Sequence, residues 1–279
     1  MQREWHTRRG ILGRVACASL VSNLLLSGCA TVPDGRRWGE DVTVQPGWQR
    51  VGRAALQAVE NPTFWAPLLA ASAMQIDGWD HRVSSWARRN TPVFRSETNA
   101  LSWSNDLRSA SVIVDWATVL LAPSGPVDED WFINKLKGGA VNLVAAESAI
   151  EFTAGLQRLT HRERPNGAGA TSMPSDHTAT SAVYTSLAAQ NLELSGLDPS
   201  ALMAADVGLG ALTAATGWAR VEAGYHFPSD TLVGASIGSF FGNFFTDAFL
   251  APAGINSPGT SMHLKPLSGG AELVVQFNF

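Results

Sequence analysis

The chain has 279 residues, of which 45% are apolar and 16% charged, so it is long enough to bury a sizeable core in one large domain or two small ones. Its formal net charge of −4 at pH 7 gives no basic surface of the kind that nucleic-acid binding requires. The mean hydropathy of +0.02 is too low for a polytopic membrane protein.

The first 29 residues are arranged like a targeting segment. Three of the first nine residues are arginines, and an apolar run at 15–26 ends in Leu-Ser-Gly-Cys at 26–29. This order resembles the signal peptide and lipobox of bacterial lipoproteins. The resemblance implies a signal peptide at 1–28 and a mature protein whose first residue, Cys29, carries several acyl chains. The alternative is an uncleaved anchor helix, but the run is short for a bilayer and Arg14 interrupts its start.

A processed chain would lie in the bacterial cell envelope, lipid-anchored and facing the periplasm. Ala30 follows the lipidated cysteine, which in enterobacterial lipoproteins favours the outer membrane. The leader removes four arginines and one glutamate, which leaves 16 basic and 23 acidic residues and a net charge of −7. Because Cys17 leaves with the leader and Cys29 carries lipid, no disulfide is expected despite an oxidising compartment.

The rest of the chain predicts a tether and an all-α domain. Residues 29–46 are rich in Gly, Pro, Asp and Arg without periodicity, which indicates a tether. Residues 47–252 predict a helical bundle, with a helix start at Asn61-Pro62 and a soft point at Gly138-Gly139. Charged residues interrupt the apolar runs, which favours a bundle on a lipid anchor over membrane-spanning helices. The predicted helices cover residues 48–59, 62–76, 79–89, 97–121, 128–158, 178–194, 200–221 and 229–249.

The C-terminal residues differ in kind from the helical domain. Residues 253–259 are a Gly/Pro/Ser linker, and the segments 262–267 and 272–279 flank a turn at Gly269-Gly270. They predict a small β-ribbon at 253–279 that packs on the bundle, because one hairpin cannot close a barrel.

Three stretches of the domain carry groups suited to phosphoryl chemistry. The first is Arg164-Pro165, and the second is Ser175-Asp176-His177 at a predicted helix start, where free backbone N–H groups favour anions. The third runs from Arg220 to Asp230 and contains His226. In that third stretch Ser229 is the expected helix cap, and Asp230 in the first turn could reach back to His226 and hold one imidazole nitrogen protonated.

The spacing Arg164-Pro165, Pro174-Ser175-x-His177 and Arg220-x5-His226-x3-Asp230 resembles the three-part signature of the type 2 phosphatidic acid phosphatase superfamily. That superfamily includes bacterial class A acid phosphatases and vanadium haloperoxidases. The resemblance covers residues 60–250 and implies a helical bundle that hydrolyses phosphate esters without a metal or cofactor.

The resemblance also implies a role for each matching residue. His226 would attack phosphorus and form a phosphohistidine, and Asp230 would orient it. His177 would protonate the leaving oxygen, while Arg164, Arg220 and Ser175 would hold the phosphoryl oxygens.

Two positions depart from the family pattern. Gln157 stands where the family has a lysine, and Arg158 or Arg162 is a candidate for the missing charge. Asp176 stands where the family has a glycine, and its carboxylate repels phosphate unless it turns outward. Gln157 and Asp176 are kept among the candidate phosphate-pocket residues.

These departures leave alternatives open. The first hypothesis is a lipid-anchored phosphatase acting on phosphomonoesters or diphosphates, with a lipid phosphate favoured. The others are an acid phosphatase for soluble phosphate esters and a non-catalytic phosphate- or lipid-binding lipoprotein. The many tryptophans are compatible with an interfacial substrate, although tryptophans of helical proteins are more often core residues. They are Trp48, Trp65, Trp79, Trp86, Trp103, Trp116, Trp131 and Trp218. The sequence says nothing of the oligomeric state.

Overall fold

The computed structural model describes residues 29–32, 35–250, 260–267 and 270–277, the last two segments by their backbone alone. The predicted signal peptide lies outside these residues. The predicted all-α fold is confirmed. Its helices are α1 (Trp48–Glu60), α2 (Pro62–Ala73), α3 (Trp79–Asn90), α4 (Glu97–Leu121), α5 (Glu129–Thr160), α6 (Asp176–Glu193), α7 (Pro199–Glu222) and α8 (Pro228–Phe245). A 3-10 turn (Ile76–Gly78) precedes α3, and a π-helical turn (Thr246–Leu250) follows α8.

Most helices begin where a short polar side chain can accept a hydrogen bond from the first turn. Asn61 accepts from the Thr63 amide at the start of α2, and Asp128 accepts from the Trp131 amide at the start of α5. The expected cap of the last helix is wrong. Helix α8 begins at Pro228, so Ser229 lies inside it.

Helix α6 lies at the centre of the bundle and packs against α4, α5, α7 and α8. Most of its residues are buried, and many are small, among them Ala179, Ala182 and Ala188. Small side chains let helix axes approach closely. The neighbouring helices therefore pack on the backbone of α6 as well as on its side chains. Its N-terminus carries the second sequence motif and points at the start of α8.

A row of glycines lets α8 lie directly on α6. Gly234, Gly238 and Gly242 recur every four residues on one face of α8. A Cβ on Gly234 would lie 2.5 Å from the carbonyl oxygen of Ser175, and one on Gly242 would lie 2.7 Å from the Cβ of Ser186. The close approach fixes the position of the α8 N-terminus relative to that of α6.

The predicted tether contributes a residue to the core. Trp38 is buried and donates its indole N–H to Asn191 at 3.1 Å. Helix α5 runs without interruption through Gly138-Gly139, where the sequence predicts a soft point. A Cβ on Gly138 would collide with the Trp38 ring, so this glycine makes room for the indole.

Several tryptophans are exposed, contrary to the usual placement of tryptophan in a helical core. Trp48, Trp79, Trp86, Trp103 and Trp116 are all exposed. Within the described ranges, no helix is both long enough and apolar enough to cross a bilayer.

Strands β1 (Thr260–Leu267) and β2 (Gly270–Phe277) form an antiparallel hairpin in which Thr260 is opposite Phe277. The linker at 253–259 lies outside the described residues. The packing of this ribbon on the helices stays a prediction.

Candidate active site

His226 lies in the loop between α7 and α8 and is fully buried. Its Nδ1 atom donates to the carbonyl oxygen of Ser172 at 2.5 Å, which leaves Nε2 unprotonated, with a lone pair that accepts from Nη2 of Arg220 at 3.4 Å. Burial, reinforced by the positive charge of Arg220, lowers the pKa of His226 to about 3. The imidazole is therefore neutral near pH 7, as a nitrogen nucleophile must be.

Asp230 does not contact His226, so the expected direct orientation of the histidine is wrong. One carboxylate oxygen of Asp230 accepts from the Ser172 hydroxyl at 2.6 Å and from the Phe227 amide at 2.8 Å. The other accepts from Arg162 at 2.5 Å. Burial raises the pKa of Asp230, and the contacts with Ser172 and Arg162 oppose that shift. Asp230 thus holds Ser172, and the Ser172 carbonyl in turn holds the imidazole.

Arg162 joins two buried carboxylates beneath the site. Its guanidinium contacts Asp230 and lies 2.6 Å from Asp80, which is itself almost fully buried in α3. Asp80 also accepts from the backbone amide of Ser229 at 2.9 Å and from its hydroxyl at 2.5 Å. Because Arg162 is occupied by these carboxylates, it does not supply the charge missing at Gln157.

His177 stands at the first turn of α6, between two polar partners. Its Nδ1 atom lies 3.2 Å from Asp176, and its Nε2 atom lies 2.8 Å from the side-chain oxygen of Asn105 on α4. Burial lowers the pKa of His177, while the contact with Asp176 acts in the opposite direction. The doubly protonated ring, which can donate a proton to a leaving group, would find an acceptor on each of its nitrogens, although the lowered pKa confines this form to lower pH.

Asp176 faces the pocket, although its side chain is 41% exposed. Its second carboxylate oxygen lies 3.8 Å from Nε2 of His226. Burial raises the pKa of Asp176, but the contact with His177 and the positive charge of Arg220 outweigh it and hold the pKa well below its ordinary value. An ionised carboxylate has no proton for a phosphate oxygen, so Asp176 is a partner of His177 and a competitor of an anion at this position.

Two arginines point at the same region and share one aromatic ring. The guanidinium carbons of Arg164 and Arg220 lie 5.0 Å and 4.4 Å from the ring centre of Tyr225. Nη2 of Arg220 lies 3.4 Å from Nε2 of His226, and Nη2 of Arg164 donates to Thr171 at 2.9 Å. Burial lowers the pKa of Arg220 to about 10. This value is still well above neutral pH, so the guanidinium stays charged there.

Both arginines also have a hydrogen-bond donor that is unpaired within the described residues. The buried Nε–H groups of Arg164 and Arg220 donate to no atom of the described residues. Buried donors are nearly always paired in native proteins, so these two unpaired N–H groups indicate a ligand that accepts hydrogen bonds. Guanidinium groups suit phosphate in particular.

The two remaining predicted residues shape the backbone around the site. Ser175 is fully buried, and its oxygen caps α6 by accepting from the Thr178 amide at 3.4 Å and also accepts from the Thr178 hydroxyl at 3.0 Å. Gln157 donates its side-chain amide to the Pro174 carbonyl at 2.8 Å, and so it supports the loop before α6 rather than the arginines.

Sequence reasoning missed Ser172, Asp80, Asn105 and Tyr225 as parts of the site. Tyr225 lies inside the third stretch and Ser172 lies just before the second, and this proximity was a usable signal. Asp80 and Asn105 lie on distant helices, and nothing local marks them. Across the described residues, no three His, Cys, Asp or Glu side chains are grouped as a metal site requires.

Comparison with known proteins agrees with this geometry. Residues 142–251 match the family model of the PAP2 superfamily, and this range holds Arg164, His177 and His226. Among solved structures, the chain is similar to the crystal structure of a transmembrane PAP2-type phosphatidylglycerolphosphate phosphatase from Bacillus subtilis. The two share 19% identity and a TM-score of 0.50 over 66% of this chain and 92% of that one. No curated protein matches the sequence.

The two arginines beside a neutral histidine form a pocket suited to a phosphate group. The PAP2 match over residues 142–251 supports a phosphatase, and the similar solved structure shows the same helical fold.

Proposed function

We propose that this protein is a metal-independent phosphatase that hydrolyses phosphomonoesters or diphosphates through a phosphohistidine on His226, with lipid phosphates as favoured substrates. One observation carries the proposal. The unprotonated Nε2 of His226 accepts only a long hydrogen bond, from Arg220 at 3.4 Å, and the buried Nε–H groups of Arg220 and Arg164 have no acceptor among the described residues.

In the first step, Nε2 of His226 attacks phosphorus and the bond from phosphorus to the leaving oxygen breaks. His177 gives its proton to that oxygen. The imidazole becomes positively charged as the phosphorus–nitrogen bond forms, and its Nδ1–H stays bound to the Ser172 carbonyl. Arg164 and Arg220 stabilise the charge on the phosphoryl oxygens.

In the second step, water attacks phosphorus and the bond to Nε2 breaks. His177, now neutral, takes the proton of the attacking water, and phosphate leaves with His226 neutral again. Asp176, 3.2 Å from Nδ1 of His177, stabilises the ring whenever it is protonated.

Two features favour a lipid phosphate over a soluble ester. Five exposed tryptophans provide side chains of the kind that lie at membrane interfaces. The lipid anchor proposed at Cys29, which is exposed, would hold the site near such a substrate. The lipid phosphatase among similar solved structures is compatible with this preference.

The test is hydrolysis of a chromogenic phosphate ester by the full chain in detergent, compared with His226→Ala. We expect release of phosphate by the wild type and none above background by the variant. A second variant, His177→Ala, should accumulate an acid-labile, alkali-stable phosphoryl group from a labelled chromogenic ester, because that leaving group departs without a proton whereas the attack of water lacks its base. Phosphatidic acid, phosphatidylglycerol phosphate and a polyprenyl diphosphate then rank the substrates against the chromogenic ester.

A non-catalytic phosphate-binding protein is the second candidate, and the position of Asp176 favours it. Its carboxylate lies where an anion must approach Nε2 of His226. Equal, very slow release of phosphate by the wild type and His226→Ala would decide for this candidate.

The proposed anchor is tested separately. Cys29→Ser should release the protein from membranes into the soluble fraction. Retention of that variant after a carbonate wash would contradict a purely lipid attachment.

A further inference from the structure

The pocket lacks one cation at the position where the family resemblance predicts it. Gln157 replaces the lysine, and its amide is committed to the Pro174 carbonyl at 2.8 Å. Arg162 is held by Asp80 and Asp230. Arg158 is exposed on the last turn of α5. No residue of the first motif other than Arg164 therefore brings a positive charge to the phosphate.

Helix α4 also borders this pocket. Asn105 on this helix lies 2.8 Å from Nε2 of His177. Arg108 is three residues further along α4, one turn away on the same face. Burial is the main cause that lowers the pKa values of His177 and Arg220, and the positive charge of Arg108 lowers both further. The guanidinium is thus close enough for its charge to reach both residues.

Arg108 is half-buried, and its side chain has no hydrogen bond or ion pair with any residue that the structure describes. Other partly buried arginines in this part of the chain are paired. Arg88 binds Glu97 and the Pro165 carbonyl, and Arg162 binds two carboxylates. A guanidinium left without a partner at the mouth of an anion pocket is available to the anion.

We propose that Arg108 is the third phosphate-binding cation of this pocket, that it takes the place of the lysine absent at Gln157, and that it acts on the leaving-group side. The proposal rests on the proposed function. The position of Asn105 places Arg108 on the leaving-group side. Asn105 lies on the same face of α4 and contacts His177, the residue that protonates the leaving oxygen. A cation there stabilises a leaving group that is itself a phosphate, so the substrate class it favours is a diphosphate ester.

Two substrates with one tail isolate this effect. Farnesyl diphosphate releases a phosphorylated leaving group, whereas farnesyl phosphate releases a neutral alcohol. For the full chain in detergent, Arg108→Gln should lower kcat/KM for the diphosphate by about 100-fold and for the monophosphate by about 10-fold or less. Arg108→Lys should recover part of the loss, because charge is kept while the planar fork is lost. Arg158→Gln, which removes an exposed arginine of α5, is the matched control and should match the wild type.

A binding measurement keeps this test separate from turnover. Inorganic diphosphate is titrated calorimetrically into His226→Ala with and without Arg108→Gln. We expect at least about 10-fold weaker binding when Arg108 is replaced. Equal binding would overturn the proposal, and so would equal losses of kcat/KM on the two farnesyl substrates. If the wild type binds diphosphate through Arg108 but turns nothing over, the proposed phosphatase function fails while the Arg108 site stands.

Discussion

The Ser172 carbonyl oxygen accepts a hydrogen bond from Nδ1 of His226 at 2.5 Å, and this contact sets the tautomer of the proposed nucleophile. The hydroxyl of the same serine donates a hydrogen bond to Asp230. The carboxylate therefore acts on the histidine through Ser172 and not by direct contact. Because the contact is indirect, replacing Asp230 should affect the stability of the fold more than the chemical step.

Asp230→Asn should cost more stability than activity. The change removes the charge from a buried carboxylate that accepts from Ser172, Phe227 and Arg162, and we expect the free energy of unfolding to fall by about 3 kcal/mol. The backbone carbonyl that fixes the tautomer remains, so kcat should fall by only about 10-fold. Denaturant unfolding and steady-state kinetics measure the two effects.

The control for this prediction is Ser172→Ala, which keeps the carbonyl and should also retain kcat to within about 10-fold. A kcat loss of about 10⁴ for Asp230→Asn with unchanged stability would contradict this indirect contact, since that is the cost when a carboxylate bonded directly to a catalytic histidine becomes an amide.

Asp80→Asn should destabilise the protein because Arg162 would keep only one carboxylate partner. Asp80 is 2% exposed and accepts from Arg162 and from both donors of Ser229, so we expect a loss of about 3 kcal/mol in the free energy of unfolding. The matched control is Asp77→Asn, which breaks the exposed pair with Arg82 and should cost less than about 1 kcal/mol. Urea unfolding compares the variants, and equal losses would show that Asp80 does not hold the site.

Local features made parts of this fold and site predictable. The caps at Asn61, Asp128 and Ser175 follow from side chains that bond within their own helix turn, so the sequence is sufficient to place them. The three motifs could be associated because a family spacing links them.

The partners of those motifs could not be predicted in the same way. Asp80 precedes Ser229 by 149 residues, and Asn105 precedes His177 by 72. Such contacts depend on which helices become neighbours, and neither periodicity nor capping encodes that. The direct Asp230–His226 contact was wrong for a related reason, because a closer acceptor, the Ser172 carbonyl, comes from another segment of the chain.

The dependence of kcat/KM on pH should have a basic limb set by His177. A general acid must be protonated, and burial lowers the pKa of His177 below its ordinary value of 6.5. Raising the pH through that lowered pKa removes the proton, so kcat/KM should fall from the weakly acidic range upward. Profiles from pH 4 to pH 9 on one substrate measure the limb.

Asp176→Asn should move this limb to lower pH, because the hydrogen bond and negative charge of Asp176 raise the pKa of His177. The substrate titrates identically in both profiles, so the difference reports the enzyme. Asp106→Asn, an exposed change on α4, is the control and should leave the limb in place. A limb that stays fixed or moves upward in Asp176→Asn would show that His177 is not the acid.

Gly238→Ala should loosen the contact that positions the two motif helices. A Cβ at this position would lie 2.7 Å from both the Ala182 Cβ and the Val183 amide nitrogen, so α8 must move away from α6. We expect a loss of 1–3 kcal/mol, roughly that of an overpacked core, in the free energy of unfolding. Activity should fall with it, because Asp230 lies on α8 and His177 on α6.

The control is Gly210→Ala in α7. A Cβ there meets nothing within 4 Å, so the change should stabilise the helix by about 0.5–1 kcal/mol. Thermal unfolding of both variants tests the pair: a Gly238→Ala protein at least as stable as the wild type would mean that the glycine row does not set the spacing of α6 and α8.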